Sequence, residues 1–251
     1  MKPLNILFVL CLILSNAYAI PPLRIGTVPF DPPYIFSLSQ GFEIDLMQRI
    51  CKGLNTTCEF IPMKYNALFI RLNEQKIDLA MDGIDFYINK NPLNGPYIYS
   101  LPYLLSKGQL LIRKKNPATK ITDLPPQTKI GIIKEHSERG SGVFFDFFEN
   151  KYGTQYKLIQ FGDVDKLIAA LGSAQIVAAF LDNNEANYWI LNGNGIFKAL
   201  GDPIKVADGI GIAANPENTA LIAQVNQQLQ LILNSPTYVN LYNTYIGTLP
   251  R

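Results

Sequence analysis

Four residues of complementary chemistry stand close together. Asp82, Gly83, Asp85 and Lys90 follow directly on the apolar run Ile77-Asp78-Leu79-Ala80-Met81. A strand that breaks into a polar, glycine-containing loop is where an open α/β sheet usually places a ligand. The pattern predicts that this loop receives the carboxylate end of a small zwitterion, held by Lys90 and by free backbone N–H groups. A second charged position is Asp182, which ends the apolar stretch 175–181. A lone aspartate there suits an ammonium, although an aspartate after a strand is more often a helix N-cap. His136 and Ser137 follow another strand-like run, 129–133, and Phe30, Asp31 and Tyr34 occupy a loop stiffened by Pro29, Pro32 and Pro33.

The elements that must position these groups read as two α/β series. A strand over 23–28 ends in the proline loop, which cannot continue a ladder because proline has no N–H. A helix opens at Gly41-Phe42-Glu43-Ile44-Asp45-Leu46 and carries Met47, Ile50 and Cys51 at helical spacing. A strand over 58–63, a helix over 66–74 and the strand 77–81 complete the first series. A loop is expected over 91–102 and a strand over 109–113. The second series alternates strands over 129–133, 156–161 and 175–181 with helices that start near Gly142, Asp163 and Asp182. Near-continuous apolarity makes the strand 175–181 one that is buried on both faces. Residues 201–204 read as a turn, 209–213 as a strand, and two helices begin at Pro216 and Pro236. This order predicts parallel-type sheets covered by helices. It gives two lobes, one formed by 20–104 and 207–251 and the other, 105–206, inserted into it. Two crossings between lobes suit a hinge that closes on a ligand.

The composition narrows the classes. The chain has 251 residues, 48% apolar and 17% charged, enough for a sizeable core. The formal charge of +2 leaves no electrostatic footprint for nucleic acid. Lys2, an apolar run over 6–14 and Ala17-Tyr18-Ala19 form a secretory signal peptide, residues 1–19. That run is too short to span a bilayer, which takes about 20 residues. Phe8-Val9-Leu10 before Cys11 are too bulky for a lipoprotein cleavage site. The mature chain is therefore expected in the periplasm, and as a monomer. Cys51 and Cys58 remain after cleavage, and a cysteine pair in an oxidising compartment is a disulfide candidate, with two buried thiols as the alternative. With His136 the single histidine, the pair makes a poor zinc set, so no metal or cofactor is expected.

The chain resembles the periplasmic polar-amino-acid-binding proteins of ABC importers (bacterial solute-binding protein family 3), particularly the arginine- and histidine/lysine-binding branch. The carriers are the Gly41–Leu46 motif, the Cys51/Cys58 pair, Lys76-Ile77-Asp78, Met81-Asp82-Gly83-Ile84-Asp85, the stretch 177–182 and Gly209-Ile210-Gly211-Ile212. The resemblance implies the two-lobed type II periplasmic-binding-protein fold, with a ligand cleft between lobes and a membrane ABC permease as partner. It also assigns roles. Asp182 matches the ammonium-binding aspartate, Tyr65 the aromatic that stacks on the ligand side chain, and Ser137 a hydroxyl at a second-lobe helix start. Lys90 stands at the family's carboxylate-binding arginine, keeping the charge but not the bidentate fork. Tyr87 stands at a threonine, and Asp31 replaces an aromatic.

The leading expectation is a binding protein, without catalysis, for a polar, cationic amino acid held by Asp31, Tyr65, Asp82, Gly83, Asp85, Lys90, Ser137 and Asp182. The charges expected around the cleft, Asp31, Asp82, Asp85, Glu135 and Asp182 against Lys90 and Lys134, are what favour a cation. The alternative is an exported enzyme resembling cyclohexadienyl (prephenate/arogenate) dehydratases, with His136, Glu135 or Asp182 as proton donor. A free-standing surface sensor is a third reading.

Overall fold

The computed structural model describes residues 21–88, 95–135 and 142–247. The elements run in the order β1 (Leu23–Thr27), α1 (Phe42–Gly53), β2 (Cys58–Pro62), α2 (Tyr65–Asn73), β3 (Leu79–Ala80), β4 (Asp85–Phe86), β5 (Ile98–Tyr99) and β6 (Lys107–Arg113). There follow β7 (Lys129–Ile133), α3 (Val143–Tyr152), β8 (Lys157–Phe161), α4 (Val164–Gly172), β9 (Ala178–Asp182), α5 (Asn183–Asn192) and β10 (Phe197–Lys205). Then come β11 (Gly209–Ile210), β12 (Ala213–Ala214), α6 (Thr219–Leu233) and α7 (Pro236–Tyr245).

Two five-stranded sheets form the two lobes, in the orders β2-β1-β3-β12-β5 and β10-β6-β9-β7-β8. Every strand of the second sheet lies between Lys107 and Lys205, so one lobe is inserted in the other. The sheets are mixed rather than purely parallel. β1 runs parallel to β2 and β3, and β7 parallel to β8 and β9, but β12, β6 and β10 join antiparallel. The strands that join antiparallel are those nearest the two crossings in sequence.

Each sheet is sandwiched. Leu79 and Met81 face a core that includes Ile50 of α1 and Val225 and Leu229 of α6, while Ile77 and Ala80 face Leu68 and Leu72 of α2. In the second sheet, Ala178 and Phe180 point to Phe144 and Phe148 of α3, and Ala179 and Leu181 to Leu167 of α4 and Ala186 of α5. β9 is thus covered on both faces, as its unbroken apolarity predicts. Cys51, in the last turn of α1, is disulfide-bonded to Cys58 at the start of β2.

Three local expectations are corrected. The turn expected over 201–204 lies inside β10, whose register against β6 shifts between Leu200 and Ile204. The bulge absorbs Gly201 and Pro203, and β10 is an edge strand, where a proline costs no ladder bond to a second neighbour. The run 209–213 splits into β11, which pairs with β4, and β12, which enters the first sheet. Within the expected loop 91–102, Ile98 and Tyr99 form β5, and residues 91–94 lie outside the described ones.

The chain crosses between sheets twice, and the two crossings are tied together. Leu104 bridges Ile210, Ile210 N–H donates to Leu104 O at 3.0 Å, and Ala207 N–H donates to Ser106 Oγ at 2.8 Å. Tyr87, just after β4, donates its hydroxyl to Val206 O at 3.3 Å, so the larger residue at this position contacts the second crossing.

Candidate functional site

The C-terminal ends of β1, β3, β7 and β9 point at one cavity of about 610 Å³ between the sheets. It has the size and position of a small-molecule site. Six of the residues singled out from sequence line it: Asp31, Tyr65, Asp82, Gly83 and Asp85 from the first sheet's side, and Asp182 from the second. Lys90 and Ser137, like His136, lie outside the described residues.

The loop after β3 depends on its glycine. Gly83 has φ +57°, and a Cβ there would lie 2.8 Å from the Tyr34 ring. Its N–H is not free, because it donates to Glu43 Oε1 at 2.8 Å. The Tyr103 hydroxyl donates to the same oxygen. Glu43, in the first turn of α1, is therefore the buried post on which this loop rests. Burial raises its carboxyl to about 7, with Tyr103 and Gly83 opposing.

Asp182 carries both roles that the sequence allows it. Its Oδ1 accepts from Asn184 N–H at 2.7 Å, which caps α5, and from the Tyr34 hydroxyl of the opposite lobe. Its Oδ2 is buried with no partner among the described residues. Burial lifts this carboxyl to about 6, and the hydrogen bonds from Tyr34 and Asn184 oppose the rise. Glu135 likewise caps, accepting from Phe144 N–H at 2.9 Å at the start of α3, and burial raises it to about 8.

Between these lies a chain of acids. The Asp31 carboxyl hydrogen-bonds Glu185 of α5 and Asp82, so it links the two lobes. Asp85 bonds Ser106 at a crossing. Asp31, Asp82, Asp85 and Glu185 are all pushed well above the ordinary carboxylate range. Burial is the first cause, and the neighbouring carboxylates are the second. Hydrogen-bonded carboxyl groups of this kind must share protons when no cation is present. One oxygen each of Asp31, Glu43, Asp82, Asp85 and Asp182 is buried without a partner among the described residues.

Six buried acids therefore line the cleft, Asp31, Asp82, Asp85, Glu135, Asp182 and Glu185, and a seventh, Glu43, is buried behind them under the Gly83 loop. None takes part in any of the five ion pairs found among the described residues. Of the lysines on the cavity wall, Lys64 is exposed and Lys166 pairs with Asp163. No group of three or more potential ligands suited to a metal ion occurs among the described residues. An isolated buried carboxylate is costly.

The sequence reading had Asp31, Asp82, Asp85, Glu135 and Asp182 near the cleft but missed Glu185 and the supporting roles of Glu43, Tyr34 and Tyr103. Glu185 follows Asp182 by three residues on a helix, which places both on one face. That spacing was available in the sequence, but an acid in the first turn of a helix is ordinarily explained by the helix dipole.

The comparisons with known proteins agree with this geometry. The model of the bacterial extracellular solute-binding proteins, family 3, matches residues 23–248. The chain belongs to that family. It is 22% identical over 240 residues to an arginine-binding periplasmic protein of Mannheimia haemolytica, covering 94% of each chain. A crystal structure of an arginine third transport system periplasmic binding protein from Legionella pneumophila superposes with TM-score 0.80 and 27% identity. It covers 90% of this chain and 100% of that one. An ancestral amino acid-binding protein described as a precursor of cyclohexadienyl dehydratase superposes with TM-score 0.74 and 20% identity, over 90% and 95% of the two chains. The last likeness shows the fold alone, and that protein too is described as a binder. As a family 3 solute-binding protein, the chain has the two-lobed type II fold with its cleft between lobes.

Proposed function

We propose that this solute-binding protein captures a cationic amino acid, of arginine or lysine type, between its lobes and delivers it to an ABC permease. One observation carries the reading: six buried acids, Asp31, Asp82, Asp85, Glu135, Asp182 and Glu185, line one cavity, and no ion pair among the described residues neutralises them. Asp182, with Asp85 beside it, holds the α-ammonium, and Asp31, Asp82 and Glu185 hold the side-chain cation. Tyr65 packs along the aliphatic stem. Gly83 shapes the loop, and Lys90 and Ser137 are the candidates for the carboxylate. One ion pair at about 4 Å is worth on the order of 4 kcal/mol gross at an effective dielectric of 20. Two such pairs amount to about 8 kcal/mol gross, and burial of the aliphatic stem against Tyr65 must offset their desolvation for the complex to reach the roughly 8 kcal/mol net of micromolar affinity.

The remaining organisation follows from the same reading. Residues 1–19 are the export signal, 20–104 with 207–251 form one lobe and 105–206 the other. The protein works as a monomer in the periplasm, with the tied crossings as its hinge. It performs no chemistry.

The test is calorimetric titration of the chain from Ile20 to Arg251, stripped of ligand by unfolding and refolding. Arginine or lysine should bind saturably at micromolar affinity or better, with glutamate and leucine silent. Silence for all cationic amino acids, or equal binding of neutral ones, overturns the reading. Turnover of prephenate by the same sample would replace it with the enzyme.

A further inference from the structure

The loop between β1 and α1 holds one side chain firmly in place. Asp31 and Ile35 exchange backbone hydrogen bonds of 2.8 and 2.9 Å, which closes the loop on itself with Tyr34 inside it. The Tyr34 carbonyl accepts from Glu43 N–H of α1 at 3.1 Å. A Cβ at Gly41 would lie 2.2 Å from that carbonyl oxygen, and one at Gly83 would lie 2.8 Å from the Tyr34 ring, so glycine at both positions lets the chain close around this tyrosine. Tyr34 is fully buried and belongs to the same core as Phe42 and Met47. A phenylalanine would fill that space equally well, and a buried hydroxyl is costly unless it is hydrogen-bonded.

The partners of that hydroxyl lie in the other lobe. It donates to Asp182 Oδ1 and accepts from Asn184 Nδ2 at 3.1 Å. Asn184 N–H donates to the same Asp182 oxygen at 2.7 Å, so the three groups form a ring of hydrogen bonds at the start of α5. Burial first, and Asp182 second, push the Tyr34 phenol well above its ordinary range, so it keeps its proton and remains a donor. Tyr34 follows β1 of the first sheet and Asp182 ends β9 of the second, so separating the lobes breaks the bond.

We propose that Tyr34 is a positioning residue for ligand capture: its hydroxyl latches Asp182 of the second lobe to the rigid loop of the first, and so slows release of the bound ligand. This deepens the cationic amino-acid reading and rests on it for the role of Asp182. Two donors on Oδ1 fix the turn of the Asp182 carboxylate before it meets an ammonium, so less freedom is lost on binding. Opening the cleft must break a hydrogen bond to a buried carboxylate, the stronger kind. The latch is made by closure, so it acts on release and leaves capture by the open form largely untouched.

The experiment follows release of labelled arginine from the refolded chain into excess unlabelled arginine, with affinity measured by calorimetry. Tyr34→Phe keeps the ring and removes the hydroxyl. It should release arginine about 10- to 100-fold faster, with the association rate little changed. Tyr156→Phe is the control, since Tyr156 is a buried tyrosine whose hydroxyl donates to Ile121 O at 2.8 Å within the second lobe. It should lower the thermal melt and leave release unchanged. An unchanged release rate in a folded Tyr34→Phe variant overturns the proposal, as does equal acceleration by Tyr156→Phe or a loss of affinity carried by slower association. If the parent chain does not bind arginine, the cationic amino-acid reading fails, and small-angle scattering of the ligand-free chains decides on the latch alone. Tyr34→Phe should then shift the chain toward the open, larger form, and identical scattering from parent and variant overturns the latch.

Discussion

Asp78 and Asp82 lie four residues apart, at either end of the extended segment that contains β3, and the protein treats them in opposite ways. Asp78, at the start, accepts from Arg24 N–H at 2.8 Å and pairs with the Arg24 guanidinium at 2.6 Å. Burial would raise its carboxyl, but the Arg24 hydrogen bonds outweigh burial and hold it below the ordinary value. Asp82, at the far end, is almost fully buried, touches no cation among the described residues, and is pushed well above the ordinary value by burial and then by Glu43. An acid that brings its own cation is part of the structure. An acid buried in the cavity without one is, on the proposed reading, available to a cation that arrives from outside. The ends of parallel strands divide in the same way, since loops at one end close the sheet and loops at the other carry the site.

The strongest way to break this comparison is at Asp182. An Asp182→Ala variant should lose arginine binding at least 100-fold by calorimetry, since it strands a buried ammonium. Asp182→Asn can still cap α5 and accept from Tyr34, so its thermal stability should stay near that of the parent while its affinity falls nearly as far. Full affinity in the asparagine variant would reduce Asp182 to a cap.

The pH dependence separates the two kinds of acid by sign. Glu43, Glu135 and Asp182 have folded values raised to about 7, 8 and 6. In the ligand-free protein their contribution is fully present below the unfolded values of 4.5 and 3.8 and is lost as pH rises through about 6 to 8. Each extra proton held by the native state tilts stability by about 1.4 kcal/mol per pH unit. The ligand-free chain should therefore melt at a higher temperature at pH 5 than at pH 8. A bound cation displaces those protons, so arginine affinity should run the other way and weaken from pH 8 to pH 5. Asp78 has a depressed value, so its contribution is present above the unfolded 3.8 and is lost only as pH falls through the lower folded value. Parallel pH trends for melting and binding would contradict the distinction.

Two smaller effects should touch stability alone. Replacing Cys51 and Cys58 together by serine opens a short loop away from the cleft acids. It should cost about 2–3 kcal/mol in denaturant titration without altering affinity. Arg24→Ala removes a half-exposed pair and should cost about 0.5–1 kcal/mol, again with binding unchanged. Weakened arginine binding in either variant would show that the structural and ligand-facing regions are not separable.

Much of the architecture was legible in the sequence because local signals carried it. Helical spacing placed α1, α4 and α6, unbroken apolarity marked β9 as doubly buried, and the expectation of export made Cys51 and Cys58 a disulfide candidate. The family pattern pointed to Asp82, Gly83, Asp85 and Asp182. Local signals failed where pairing is decided at a distance. Gly201 and Pro203 spell a turn, and only the neighbouring β6 makes them a bulge in an edge strand. The run 209–213 looks continuous, yet its two halves pair in different sheets.

The sequence by itself determined which acids exist, which of them end strands, and that the chain forms two α/β lobes. Only the tertiary structure decided that Tyr34 reaches Asp182 across 148 residues, that Asp31 meets Glu185, and that Glu43 occupies the Gly83 amide. The physical reason is that charge and hydrogen bonding depend on distance and burial. An aspartate in a sequence has an ordinary carboxyl, and it takes on a raised one, and a use for a cation, only when folding removes its water and brings other acids beside it.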